Sequence, residues 1–172
     1  MTGAAAGAEA RLLEPERLPD HLDRLYRAAR ALCRSREEAE DLVQETCARV
    51  LSKPRFLTGD DDLGYLLRVL RNTWHTQHRT SCRRPSTVGA VEEMELLEDT
   101  RSLGPDELAA AREVYAAVAR LPDPLREVVA AVDFAGLSYK EAARACRTKE
   151  GTVMSRLFRA REQVASLLGA DA

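Results

Sequence analysis

The stretch SYKEAARACRTKEGTVMSRLFRAR, Ser138 to Arg161, holds seven Lys or Arg against two Glu, in a chain of 172 residues whose formal net charge is −2. Positive charge gathered on one segment of a mildly acidic chain marks a face that meets a polyanion. The stretch opens with SYKE, a capping box in which Ser138 and Glu141 start a helix. Tyr139, Ala142, Ala143 and Cys146 then share one short apolar stripe, RTK makes a turn, and Val153, Leu157, Ala160 and Val164 form the stripe of a longer helix. Two helices joined by a tight turn, the second longer and basic, make a helix-turn-helix pattern. With Val153, Leu157 and Ala160 turned to the core, Thr152, Ser155, Arg156 and Arg159 are left on the outer side. Their hydroxyls and guanidinium groups suit phosphates and base edges in a major groove.

Outward from this motif the chain reads as helix throughout. Aromatics are 5% of the residues, glycine and proline are scarce, and no run of alternating β-branched residues suggests a sheet, so the fold class is all-α. The first twenty residues lack the basic start and apolar centre of a signal peptide. No apolar run approaches the ~20 residues that span a bilayer, which points to a cytoplasmic protein without membrane insertion. Cys33, Cys47, Cys82 and Cys146 lie far apart with no C-x-x-C pair, a pattern of reduced, packed thiols rather than of a disulfide framework or a zinc site. His75, His78 and Cys82 share a helical phase, but a basic helix with no fourth ligand disfavours a metal. No phosphate-binding glycine loop, nucleophile elbow or H-E-x-x-H is present, so no catalysis and no cofactor are expected.

Upstream, Leu22, Leu25, Tyr26, Ala29 and Leu32 form a first helical stripe after Pro19. SREE starts a second helix, with Ser35 as cap and Glu38 reaching back to it; Ala39, Leu42, Val43, Thr46 and Val50 make its stripe, and Pro54 stops it. A third follows the acidic cluster Asp60 to Asp62, which suits the positive end of a helix dipole. Steps of ~100° place Leu63, Leu66, Leu67, Leu70 and Trp74 on its back and Arg68, Asn72, His75 and Arg79 on its front. Trp74 belongs by phase to the core. Between Gly64 and Val91 there are five arginines and no acid. RPSTVGAVEEMELLEDTRSLGP then loses the periodicity, and with Glu92, Glu93, Glu95, Glu98 and Asp99 it reads as an acidic linker. DELAAAREVYAAVARL and DPLREVVAAVDFAG are two more helices, the second capped by Asp123 and closed by Gly136. The chain thus divides into a flexible amino terminus (1–17), a first helical domain (18–86), a flexible acidic linker (87–105) and a helix-turn-helix domain (106–169).

From Leu121 to Arg161, LPDPLREVVAAVDFAGLSYKEAARACRTKEGTVMSRLFRAR resembles the carboxy-terminal domain of bacterial RNA polymerase sigma factors, and its GTV-x-SRL-x-RAR ending is that of the extracytoplasmic-function group. SREEAEDLVQETCARVL resembles the polymerase-binding helix of the same family. GYLLRVLRNTWHTQHRTSCRR occupies the place where that family opens and reads the minus-ten element. The resemblance runs from about Leu18 to Leu168. It departs from the family pattern at Arg147, where glycine is usual, at Met154, usually basic, and at Thr76, usually aspartate; these bear on promoter preference.

The resemblance implies a non-enzymatic alternative sigma factor that binds core RNA polymerase and promoter DNA, both duplex and melted strand, and that an anti-sigma factor can restrain. It assigns polymerase contact to Asp41, Gln44 and Glu45, minus-ten contact to Arg68, Asn72, His75 and Arg79, and minus-thirty-five contact to Lys149, Thr152, Ser155, Arg156 and Arg159. The alternative is a free-standing helix-turn-helix regulator that binds duplex DNA without polymerase. Such a regulator needs its own affinity and usually a dimer with paired half-sites, which one motif on a chain of low net charge does not supply.

Overall fold

Helix capping and apolar stripes at helical spacing build most of the described residues. The computed structural model describes residues 10–53, 55–58, 61–81 and 104–170. Its helices are α1 (Pro19–Leu32), α2 (Arg36–Ser52), α3 (Asp62–Ser81), α4 (Pro105–Ala119), α5 (Asp123–Val129), α6 (Tyr139–Ala145) and α7 (Glu150–Ala170). Pro54, Cys82 and the expected linker residues 87–103 lie outside the described residues.

On α1, Leu25, Ala29 and Leu32 are buried, Tyr26 is half-buried and Leu22 is exposed; Ala28 and Ala31 are buried as well, because α1 also packs on the second domain. On α2, Ser35 Oγ accepts the Glu38 N–H at 3.2 Å, as the capping pattern requires. The Glu38 carboxylate, however, takes the N–H of Arg34 at 3.0 Å rather than that of Ser35, so the box closes one residue early. Ala39, Leu42, Thr46 and Val50 are buried, and Thr46 satisfies its hydroxyl on the Leu42 carbonyl at 2.7 Å.

The amino-terminal end adds one small ribbon to the helical fold: Ala10–Leu12 (β1) pairs antiparallel with Phe56–Thr58 (β2), too short to leave an alternating pattern in the sequence. Arg11 donates to Asp62 and Arg17 comes within 3.3 Å of the same carboxylate, which is fully buried and therefore needs cationic partners. Asp62 thus anchors the preceding chain as well as placing negative charge in the first turn of α3, where the helix dipole favours it. The neighbouring Asp61 caps α3, accepting the Gly64 N–H at 3.0 Å.

In the second domain Asp123 is not the cap of α5: Pro122 takes that position, and Asp123 pairs with Arg126 at 2.8 Å inside the first turn. The helix then widens into a π-helical segment, Ala130–Phe134, ending at Gly136 with φ +71°. Arg24 of α1 donates to the carbonyls of Ala135 (2.6 Å) and Gly136 (2.9 Å), satisfying acceptors that a helix end leaves orphaned. A side chain on Gly136 would meet Arg24 Nη2 at 3.1 Å as well as an unfavourable backbone. The Ser138–Glu141 capping box forms as expected, with the Ser138 N–H on the Glu141 carboxylate at 2.8 Å. Those bonds from the Ser138 hydroxyl and N–H hold the Glu141 carboxyl below its ordinary value.

One core runs through both halves, from Leu25, Leu42, Leu66 and Leu70 to Val118, Val128, Val153 and Leu157. Trp74 is buried in it, as its phase requires, with the Arg126 guanidinium 5.5 Å from its ring centroid. Burial pushes the Cys33 and Cys146 thiols up to about 12 and about 11, which leaves both protonated and unreactive at neutral pH.

Candidate nucleic-acid interface

The helix-turn-helix is α6, the turn Cys146–Lys149, and α7. Val153, Leu157 and Ala160 seat α7 in the core, Val164 is half-buried, and Arg161 ties its middle to Asp133 at 2.6 Å. The turn is made by Arg147 at φ +53°, left-handed backbone that costs a side-chain-bearing residue about 1 kcal/mol. Of the residues expected on the reading face, Lys149, Ser155 and Arg159 are exposed, whereas Thr152 and Arg156 are half-buried on its flank. Apolar side chains share this side of the helix: Met154 is 52% and Phe158 64% exposed. Sequence reasoning left out Phe158, although its i, i+4 spacing from Met154 puts both on one side.

The α2 face carries Asp41 and Gln44 exposed and Glu45 half-exposed, paired with Arg49 at 2.6 Å. It lies opposite the stripe of Leu42, Thr46 and Val50 and holds no buried group.

The α3 front is brought together differently from what its phase alone suggests. Arg79 is exposed, but Arg68, Asn72 and His75 are half-buried. The second domain covers part of this front. Glu127 of α5, itself buried, takes a bond from Arg71 Nε, and His75 Nε2 stands 2.8 Å from its other oxygen, an ion-pair approach rather than a well-angled hydrogen bond. Arg126 beside it reaches the Leu32 carbonyl at 3.2 Å, and Arg144 of α6 pairs with Asp61 at 2.7 Å. Thr76 bonds back to the Asn72 carbonyl at 2.9 Å, so its hydroxyl is engaged within the helix. Among the described residues no cluster of His, Cys, Asp and Glu is placed to hold a metal, and no helix is long and apolar enough to cross a membrane.

The chain's two halves each match a known family description. Sigma-70 region 2 matches residues 19–84, which contain α1 to α3, and Sigma-70 region 4 matches residues 111–164, which contain α5, α6 and most of α7. The chain is 33% identical over 136 residues to the ECF RNA polymerase sigma factor EcfG of Rhodopseudomonas palustris, covering 78% of this chain and 74% of that one. It is 32% identical over 163 residues to the ECF RNA polymerase sigma factor SigE of Mycolicibacterium smegmatis, spanning 60% of that longer protein. Among solved structures it is similar to the sigma factor RpoE of Bartonella quintana, crystallised with the anti-sigma factor NepR. There the TM-score is 0.68 and the identity 26%, over 91% of this chain and 97% of that chain. CnrH in complex with the cytosolic domain of CnrY shares the fold at TM-score 0.59. Two sigma regions in series, and a relative one-third identical along three quarters of its length, place the chain in the extracytoplasmic-function group of RNA polymerase sigma factors.

Proposed function

We propose that this protein binds core RNA polymerase through the α2 face at Asp41, Gln44 and Glu45, docks α7 on the minus-thirty-five element, and holds the melted minus-ten strand on the front of α3. Residues 18–86 and 106–169 divide this work, with 87–105 as the tether between them. The observation that carries the reading is the outer face of α7. Ser155 and Arg159 are exposed there, with Lys149 exposed just before the helix and Thr152 and Arg156 half-buried on its flank, while the opposite side is locked in the core, the arrangement that a major groove accepts. No catalytic chemistry is involved; the protein acts by positioning the polymerase on DNA. A free-standing regulator would have no use for an α2 face of this kind or for a second, strand-facing helix.

Because Glu127 occupies Arg71 and His75, that part of α3 is open to a DNA strand only when the two domains part, while Arg79 stays exposed. Capture of the strand at His75 therefore competes with domain packing.

The reading is tested at Arg156. An arginine that reads a base costs about 1–3 kcal/mol on truncation and relaxes preference at one position, whereas one that binds phosphate weakens all sequences alike. Arg156→Ala in the reconstituted holoenzyme is expected to do the first, or a mixture of the two, when promoter variants are compared by competition binding. Unchanged affinity and unchanged promoter preference would remove α7 from the groove.

A further inference from the structure

The covered front of α3 does not pack tightly against the second domain. Between them lies a cleft of about 400 Å³ lined by Arg71, Asn72, His75, Thr76, Arg79 and Arg147. No carboxylate is among these lining residues. Glu127 sits behind Arg71 and His75 and balances part of their charge, but among the described residues neither Arg79 nor Arg147 has a carboxylate partner. Like charges brought together from two domains repel one another unless an anion joins them. Arg147 is there at the expense of backbone strain, since its φ of +53° is the conformation for which the family resemblance calls for glycine.

We infer that this cleft binds a small molecule carrying adjacent phosphate groups, and that its binding holds the two domains together. Guanidinium groups grip phosphate oxygens in bidentate pairs, and the Asn72 amide adds a directional donor. A volume within the range of small-ligand sites exceeds what a lone phosphate fills and suits a pyrophosphate with part of its parent molecule. The binding claim stands apart from the sigma-factor reading; only its consequence rests on that reading. A ligand that closes the cleft keeps Asn72, His75 and Arg79 from the melted strand, and so opposes promoter opening.

The test is titration of the full chain with inorganic pyrophosphate by calorimetry, paired with hydrogen exchange. Wild-type protein is expected to bind one equivalent saturably and to gain protection at both 71–79 and 144–149. Arg147→Gly, which suits the left-handed turn and should keep the fold, removes a charge-assisted bond and is expected to weaken binding about tenfold. Arg120→Ala, which removes an equally exposed cation outside the cleft, is expected to change nothing. Absence of saturable binding, equal loss in the two variants, or protection on one domain alone would overturn the inference. So would an Arg147-dependent response to a short single-stranded oligonucleotide with none to pyrophosphate, which would make the cleft part of a strand path instead.

Discussion

Replacing Asp41 and Glu45 together with lysine is expected to abolish co-elution of this protein with core RNA polymerase while leaving its helical content unchanged. Asp41 is exposed and Glu45 pairs with Arg49 one turn on, so neither supports the core. Losing the Glu45–Arg49 pair and setting a lysine beside that arginine costs a few tenths of a kcal/mol, too little to unfold α2. Across an interface the same change is far larger. Two carboxylates become two ammonium groups facing whatever cations received them, and like charges so placed cost several kcal/mol. Size-exclusion chromatography with purified core polymerase, read beside circular dichroism, separates the cases. Unchanged co-elution with retained helicity would take the polymerase contact away from α2.

The second large effect concerns opening of the duplex. Unpaired bases cost a few kcal/mol to expose, and each strand group held on α3 offsets part of that. Asn72 and Arg79 lie on its front without a role in the core stripe of Leu66, Leu67 and Leu70, so alanine at both should leave the domain folded. Core binding through α2 and docking through α7 should persist, while the open complex fails to accumulate. Permanganate reactivity of thymines near the start site reports this directly. Lost reactivity with retained polymerase and upstream binding is the expected result; wild-type reactivity in the double variant would end the proposed role of the α3 front.

The helical stripes were legible because burial at period 3.6 leaves an unambiguous trace, and Leu42, Leu66, Leu70, Val153 and Leu157 are all buried where that trace puts them. What joins the two domains was not legible. Arg126 and Glu127 are adjacent charged residues on a short helix, ordinarily a solvated pair, yet both are buried, and the partners of Glu127 come from a helix more than fifty positions away. Long-range ion pairs have no periodicity to betray them. The ion partners of Asp62 escaped notice for the same reason, since Arg11 and Arg17 lie in a segment that composition marks as flexible. On the candidate site, phase separated the α3 front from its back but could not reveal that Glu127 covers His75. Phase also set Arg156 with Arg159, whereas Arg156 is only half exposed.

As a sigma factor, this chain gives core RNA polymerase a promoter preference it otherwise lacks. In vitro transcription with purified core polymerase on a genomic promoter library, with and without the protein, measures that directly. Defined start sites sharing one pair of upstream elements, appearing only when the protein is present, are the predicted result. An unchanged transcript profile, with the protein binding duplex DNA in the absence of polymerase, would contradict it.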